Sequence, residues 1–355
     1  MKILVFEYIT GGGFNKQELP NSLIDEGRLM LQALLDNLHI CAEGNDLSIM
    51  VMLDYRVKGV INTYEFEEIF ISPEQNSHDE FVHLVQRCDA AWPIAPEFDE
   101  ILQTLCHAVE LQGKKLLTSP TNAVVLTGNK FKTYERLRQH QITTVPTRLY
   151  SAAVWHKKKE AEKLLQELAE ESEANLTHGD NQWMVKSIDG VGCNDSFLLT
   201  DQQDFERLSL RDGHYIIQPH IEGKKISLSC LFKQGVGWLI CGNLQQFCII
   251  NRQYQLSGII VNCVPDLSVY QGLVVSVAQA FPELWGYVGI DLIETPEKVF
   301  VLEINPRLTT SFAGIYDALG INVAEHVLEL VKGKPTIKSM CSQTINIQVT
   351  HHEAD

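Results

Sequence analysis

Residues 286–307 read GYVGIDLIETPEKVFVLEINPR. Two stretches of largely apolar, alternating residues flank the turn Thr295-Pro296-Glu297-Lys298, the pattern of an antiparallel hairpin. With a two-residue period, Gly289, Asp291 and Ile293 share one face of the first strand, and Val301, Glu303 and Asn305 share one face of the second. A register that sets Asp291 opposite Glu303 brings three oxygen-bearing side chains onto one patch. Carboxylates left unpaired among Val, Leu and Ile are costly, so the patch asks for a cation or for solvent. Magnesium beside a nucleotide takes one or two carboxylates, phosphates and water. A hairpin that turns its polar face to water is the plainer alternative. Arg307 follows at once, where a fixed guanidinium suits a phosphoryl group or a carboxylate.

Three upstream segments carry groups suited to the rest of a nucleotide. Trp183-Met184-Val185-Lys186 is an apolar strand that ends on a lysine, followed by Asp189-Gly190-Val191-Gly192. Such a loop can bring backbone N–H groups close to phosphates, although no G-K-[ST] follows at the spacing of a Walker A loop. Asn129-Lys130 opens a helix after Thr127-Gly128. Residues 215–223, YIIQPHIEG, run from a strand into a short connection able to offer backbone groups to a purine edge. Taken singly, each is also an ordinary glycine turn, surface lysine or strand end.

Outward from there, the N-terminal third alternates strands and helices. Residues 2–9 (KILVFEYI) form an apolar strand that runs into Thr10-Gly11-Gly12-Gly13. Helical spacing follows from about Ser22 to Leu38, strands at Leu47 to Leu53 and about Asp89 to Ile94, a helix at Ile101 to Leu111 and a short strand at Lys115 to Leu117. This alternation predicts a doubly wound parallel sheet over residues 1–118. Glu7 and Gly11 to Gly13 end the first strand, where such sheets bind ligands; a tight turn that needs glycine is the other reading. Further on, helices are expected near Asn122 to Gln139, over Lys157 to Ala174 as a charged, solvated helix with Leu164, Leu165 and Leu168 as its stripe, near Val269 to Phe281 and at Val323 to Val331. Strands are expected at Tyr215 to Gln218 and Ile226 to Phe232.

Composition narrows the class. The chain has 355 residues, 45% hydrophobic and 21% charged, which suits two or three packed domains. No run reaches the roughly 18–20 apolar residues of a membrane span, and the N-terminus lacks a secretory pattern, so a cytoplasmic protein is expected. Lys plus Arg number 29 against 45 Asp plus Glu, a net charge of −16 that opposes binding to nucleic acid or anionic membranes. Small-molecule substrates are the expected partners, and self-association stays open. Nine cysteines without a C-x-x-C pair read as reduced core thiols, and the adjacent His351 and His352 are too few to make a metal site.

The order Lys130, then Lys186 with its glycine loop, then the Gln218 to Gly223 connection, then Asp291…Glu303-x-Asn305-x-Arg307 resembles the ATP-grasp superfamily over roughly residues 120–335. The resemblance implies a mixed α/β and α+β chain: an N-terminal α/β domain over 1–118, a small ATP-grasp subdomain with a linker helix over 119–225, and a C-terminal subdomain with the metal site over 226–355. ATP would be clamped between the two subdomains, a carboxylate phosphorylated, and the acyl phosphate attacked by an amine. Lys130 and Lys186 would contact ATP phosphates, and the loop Asp189 to Cys193, with Gly190 and Gly192, would close over them. Gln218, Pro219, His220 and Ile221 would line the adenine hinge. Asp291, Glu303 and Asn305 would hold Mg2+, or Mn2+ in its place, and Arg307 with Lys186 would act on the transferred phosphoryl group. Many members carry acidic residues where this chain has Gln218 and Lys225, so Glu222 is the remaining candidate for the ribose.

A narrower resemblance lies in FEYITGGG (6–13), SLIDEGRLML (22–31) and INPRLTTSFAGI (304–315), which are similar to the glutamate ligases of methanofuran-type cofactor biosynthesis. It implies joining the γ-carboxylate of L-glutamate to the amine of tyramine, or of tyrosine in the methylofuran variant. Substrate contacts would come from Glu7, Gly11, Gly12, Gly13, Arg307, Thr309, Thr310 and Ser311, with Arg252 as a further anion site. Another amino-acid or peptide ligase of the superfamily, or an ATP-binding regulatory protein without turnover, are the competing readings.

Overall fold

The computed structural model describes residues 1–150, 163, 165–168, 182–190, 196–200, 204 and 214–349. Most of the charged helix expected over 157–174, Gly192 and Cys193 of the glycine loop, and the His351–His352 pair lie outside them.

Strands β1 (Lys2–Glu7), β2 (Ser48–Asp54), β3 (Glu67–Ile71), β4 (Ala90–Ile94) and β5 (Lys115–Leu116) form a wholly parallel sheet in the order β3-β2-β1-β4-β5. Alternate residues of β1 feed two different cores. Ile3 and Val5 pack with Leu31, Leu34, Leu35 and Leu38 of helix α1 (Asn21–Ala42). Leu4 and Phe6 pack with Phe81 and Leu84 of α2 (Ser77–Gln86) and with Leu102 and Leu105 of α3 (Ile101–Leu111). Cover on both faces is why β1, β2 and β4 read as continuous apolar runs. The strand order reverses between β1 and β4, which opens a crevice beyond Glu7 and Ile94.

Among the described residues, the rest of the chain builds a second sheet of ten strands. In chain order these are β6 (Arg148–Tyr150), β7 (Trp183–Ser187), β8 (Ser196–Leu199), β9 (Tyr215–Pro219), β10 (Lys224–Lys233), β11 (Val236–Ile250), β12 (Gln253–Val261), β13 (Gly286–Glu294), β14 (Val299–Asn305) and β15 (Ile345–Gln348). They lie as β14-β13-β10-β11-β12-β8-β7-β9-β6, with β15 beside β12. β10 and β13 share nine register pairs; among the described residues β8 and β12 share one, Phe197 opposite Gln253. The helix expected over 122–139 divides at Gly128 and Asn129 into α4 (Thr121–Thr127) and α5 (Lys130–Gln139), where the Asn129 side chain accepts from the Lys132 N–H and caps α5. Helices α6 (Ser268–Ala280), α7 (Ile315–Leu319) and α8 (Val323–Lys332) pack among these strands.

The two sheets share one core. The apolar side of α1 belongs to the same buried cluster as Leu231, Tyr287, Phe312 and the α8 residues Val323, Val327 and Leu330. The chain leaving β5 is stitched across as well: Thr118 Oγ1 donates to the Pro306 carbonyl at 3.0 Å, and Ser119 Oγ to the Trp285 carbonyl at 2.8 Å. Among the described residues no helix is long and apolar enough to cross a membrane, and the cysteines are free thiols.

Candidate active site

The hairpin β13–β14 adopts the register expected from its alternation. Asp291 stands opposite Glu303 and Gly289 opposite Asn305, with an irregularity between Asp291 and Leu292 that alternation does not reveal. Asn305 Nδ2 donates to one oxygen of Asp291 and Gln245 Nε2, from β11, to the other, each at 3.1 Å. Enclosure by protein and the neighbouring Glu303 carboxylate push Asp291 up to about 7, against the pull of Asn305, Lys186 and Arg307. Two carboxylates held this close favour a cation between them. Among the described residues no three His, Cys, Asp or Glu side chains gather into a metal cluster. The chain therefore supplies part of a shell, the kind that magnesium completes with phosphate oxygens and water.

The two lysines reach this patch from different elements. Lys130, at the start of α5, pairs with Glu303 at 3.3 Å and donates to the Gly190 carbonyl, while its N–H bonds the Ile188 carbonyl at 2.9 Å. Lys130 thus ties the entrance of the glycine loop to the carboxylate pair. Lys186, near the end of β7, lines the cavity that fronts the hairpin. Asp189 accepts from the Ser187 hydroxyl at 2.9 Å.

That cavity, about 220 Å³, lies between the two sheets. Of the residues expected to act together, it gathers Glu7, Lys186, His220, Asp291, Glu303, Asn305, Arg307, Thr309, Thr310 and Ser311 on one wall or another. His220 meets Tyr254 Oη at 2.7 Å, and burial together with the nearby Lys225 pushes the imidazole down to about 4, so it is neutral at pH 7. Tyr287 Oη donates to Ser229 Oγ at 2.9 Å and touches Thr309 Oγ1 at 3.0 Å, which fixes the segment after Arg307 from below. Glu7 is buried, accepting from the Ile9 N–H at 3.1 Å, the Thr10 N–H at 2.7 Å and the Thr10 hydroxyl at 2.6 Å. Burial raises its proton affinity in spite of those donors. Gly27 makes room for it: a Cβ there would lie 2.7 Å from Glu7 Oε2.

Other expected residues stand elsewhere. Gln218 gives its amide to the Thr147 hydroxyl at 2.8 Å, Pro219 is paired with Trp183 in the sheet, Ile221 packs with Val145 and Phe300, and Glu222 is exposed; none of them lines the cavity. Lys130 touches the lining residue Glu303 without itself lining the cavity, and Asp189 and Gly190 are not on its wall. The glycines have the geometry of a tight turn: Gly11 and Gly13 lie so close to the Phe6 and Tyr8 rings that a Cβ would fall 2.4–2.6 Å from ring atoms, and Gly12 has φ 99°. They wind the turn after β1 and are absent from the cavity wall. Arg252 is likewise off the wall, pairing with Asp204 and donating to the Thr200 hydroxyl at 2.8 Å.

Three acidic or amide groups escaped the sequence reading. Gln245 holds Asp291, Glu26 accepts from the Thr310 hydroxyl at 2.6 Å, and Glu97 binds Arg307. Glu26 lies inside the quoted SLIDEGRLML, yet its partner is 284 residues away, so no local pattern marks it.

Known proteins resemble the chain along most of its length. A family model for the ATP-grasp domain matches residues 127–311, and one for the pre ATP-grasp 3 domain matches residues 47–124. The tyramine–L-glutamate ligase of Methanocaldococcus fervens is 25% identical over 324 residues, which cover 88% of this chain and 89% of that protein. An Archaeoglobus fulgidus protein assigned to the ATP-grasp superfamily has a TM-score of 0.67 at 22% identity, over 98% of this chain and 92% of that one. The biotin carboxylase domain of the Hydrogenobacter thermophilus 2-oxoglutarate carboxylase, crystallised with MgADP, ADP and bicarbonate, has a TM-score of 0.69 at 14% identity, over 95% of this chain and 71% of that one.

Proposed function

The chain belongs to the ATP-grasp family as an ATP-dependent carboxylate–amine ligase, and we propose that it joins the γ-carboxylate of L-glutamate to the amine of tyramine or tyrosine. The observation that carries this reading is the shared cavity. On one side it offers Asp291, Glu303, Asn305 and Lys186; on the other, Glu7 and the hydroxyls of Thr310 and Ser311. The similarity to a tyramine–L-glutamate ligase along 88% of the chain supports the choice of substrates.

The difficulty of the reaction is repulsion between a carboxylate and the γ-phosphoryl group. Asp291 and Glu303, with Asn305, would hold magnesium, which neutralises phosphoryl charge when bound. Lys186 and Lys130 add fixed positive charge beside it, and Arg307 would meet the equatorial oxygens of the phosphoryl group in flight. A carboxylate oxygen attacks the γ-phosphorus and ADP leaves; the amine nitrogen then attacks the acyl carbon, phosphate leaves and the ammonium proton is lost. Positioning and electrostatics suffice, since the acyl phosphate is itself the activated species. Thr309, Thr310 and Ser311, held by Tyr287 and Glu26, would orient the polar ends of the substrates.

The test is ADP and phosphate release by purified protein with Mg-ATP and L-glutamate, run with tyramine, with tyrosine and with neither, with products weighed by mass spectrometry. Amine-dependent ADP release with a glutamyl adduct is the expected result, and it selects the acceptor. ATP binding without turnover in every mixture would replace the ligase by a silent nucleotide binder.

A further inference from the structure

Arg307 receives a partner from the far side of the chain. Glu97, on the connection leaving β4, accepts from Arg307 Nε with both oxygens at 3.0 Å and from Nη2 at 2.9 Å, across 210 residues of sequence. Both side chains are enclosed, 10% and 7% exposed. The Leu308 carbonyl accepts from Nη1 at 3.1 Å. A guanidinium has five N–H donors in a rigid fork. Nε–H, one N–H of Nη1 and one of Nη2 are thereby taken, which leaves one on each terminal nitrogen. Arg307 lines the cavity and Glu97 does not.

The surroundings are built around that carboxylate. Two and three residues beyond Glu97, Asp99 and Glu100 have φ 51° and 57°, left-handed conformations that side chains with a Cβ seldom adopt. Such strain persists where the packing around it over-determines the backbone. On the opposite side, Gly128 gives way: a Cβ there would lie 3.3 Å from Glu97 Cβ and 2.8 Å from the Val124 carbonyl oxygen. A strained turn, a glycine and a bidentate pair thus converge on a group that the ligation chemistry leaves unused.

We infer that Glu97 is the positioning residue of Arg307. It fixes the plane of the guanidinium from behind, so that the two remaining N–H groups stand ready as a pair for the γ-phosphoryl oxygens, and it does not touch substrate. This rests on the ligase reading for the step that Arg307 serves. It also predicts a binding property that needs no turnover, because an aimed Arg307 should make a γ-phosphate worth more affinity than a loosely held one.

Glu97→Gln keeps the shape and removes the charge. In the purified full chain, ADP affinity by calorimetry stays at the wild-type value, while the preference for a non-hydrolysable ATP analogue over ADP collapses. With Mg-ATP, L-glutamate and tyramine, kcat falls by about 10–100-fold, as for a misaimed catalytic group, and KM for ATP rises with the lost affinity for the γ-phosphate. Arg307→Lys lowers kcat by itself, and adding Glu97→Gln to it lowers kcat no further, the signature of one residue acting through another. A wild-type preference for the ATP analogue in Glu97→Gln, or losses that add in the double variant, would overturn the assignment. If Glu97→Gln fails to bind ADP, Glu97→Asp carries the same calorimetric test, with an intermediate preference expected. Wild-type protein that prefers the ATP analogue yet releases no ADP with any amine would refute the ligase reading, while the calorimetric comparison would still decide the role of Glu97.

Discussion

The two walls of the cavity handle carboxylates in opposite ways. On the antiparallel sheet, Asp291 and Glu303 face each other across a hairpin, and Asp291 is pushed up to about 7 even with two amides bonded to it. On the N-terminal side, Glu7 is met by three donors of its own turn, Glu26 by the Thr310 hydroxyl and Glu97 by the Arg307 fork. One wall is an unfinished shell, two carboxylates sharing a patch with Lys130 and Lys186, and the other is finished in its contacts, each carboxylate with donors of its own. A wall of the first kind gains from a cation that comes and goes. A wall of the second kind holds shape and aim.

The largest effect that separates them is on turnover. Glu303→Gln should lower amine-dependent ADP release by about 100–1,000-fold, the loss typical of a group that meets developing charge, with the fold retained by circular dichroism. A wild-type rate in that variant would erase the contrast. Next comes a packing test of the finished wall. Gly27→Ala places a methyl group 2.7 Å from Glu7 Oε2, and overpacking of this kind should cost about 1–3 kcal/mol in urea unfolding.

The electrostatic difference is readable through pH. A carboxyl raised to about 7 in the fold and ordinary in the unfolded chain is protonated only in the native state between about pH 4 and 7. The native state binds more protons there, so the stability of the ligand-free protein falls as pH rises through that window and stays lower above it. Melting temperatures at pH 5, 6, 7 and 8 should show this fall. Asp291→Asn should flatten it, and Mg2+ with ADP should restore wild-type stability most at pH 8. Smallest of all is Arg252→Ala. It stands off the cavity wall, so the ligation rate should be unchanged.

The unfinished wall was the legible one. Alternation over residues 286–305 gives both the strands and the register that brings Asp291 to Glu303, because a period of two allows one arrangement with the apolar face inward. The N-terminal sheet was legible too at β1, β2 and β4, whose burial on both faces leaves unbroken apolar runs. The segment between residues 54 and 89 carries no such signal. β3 is an edge strand that opens on Glu67 and Glu68 and buries only Ile71, so it lacks the apolar run that marked its neighbours. Glu97, Glu26 and Gln245 were invisible for another reason. Each owes its role to a partner 46 to 284 residues away, and only the folded chain brings the two together.

The stitching between the two sheets has a mechanical consequence. Where Thr118 and Ser119 meet Pro306 and Trp285, the parallel sheet and the hairpin are riveted over a common core. Glu7 and Glu97 are thereby carried on the same body as Asp291, Glu303 and Arg307, and the spacing between the two walls of the cavity is set by side-chain packing, as in the interior of a single domain.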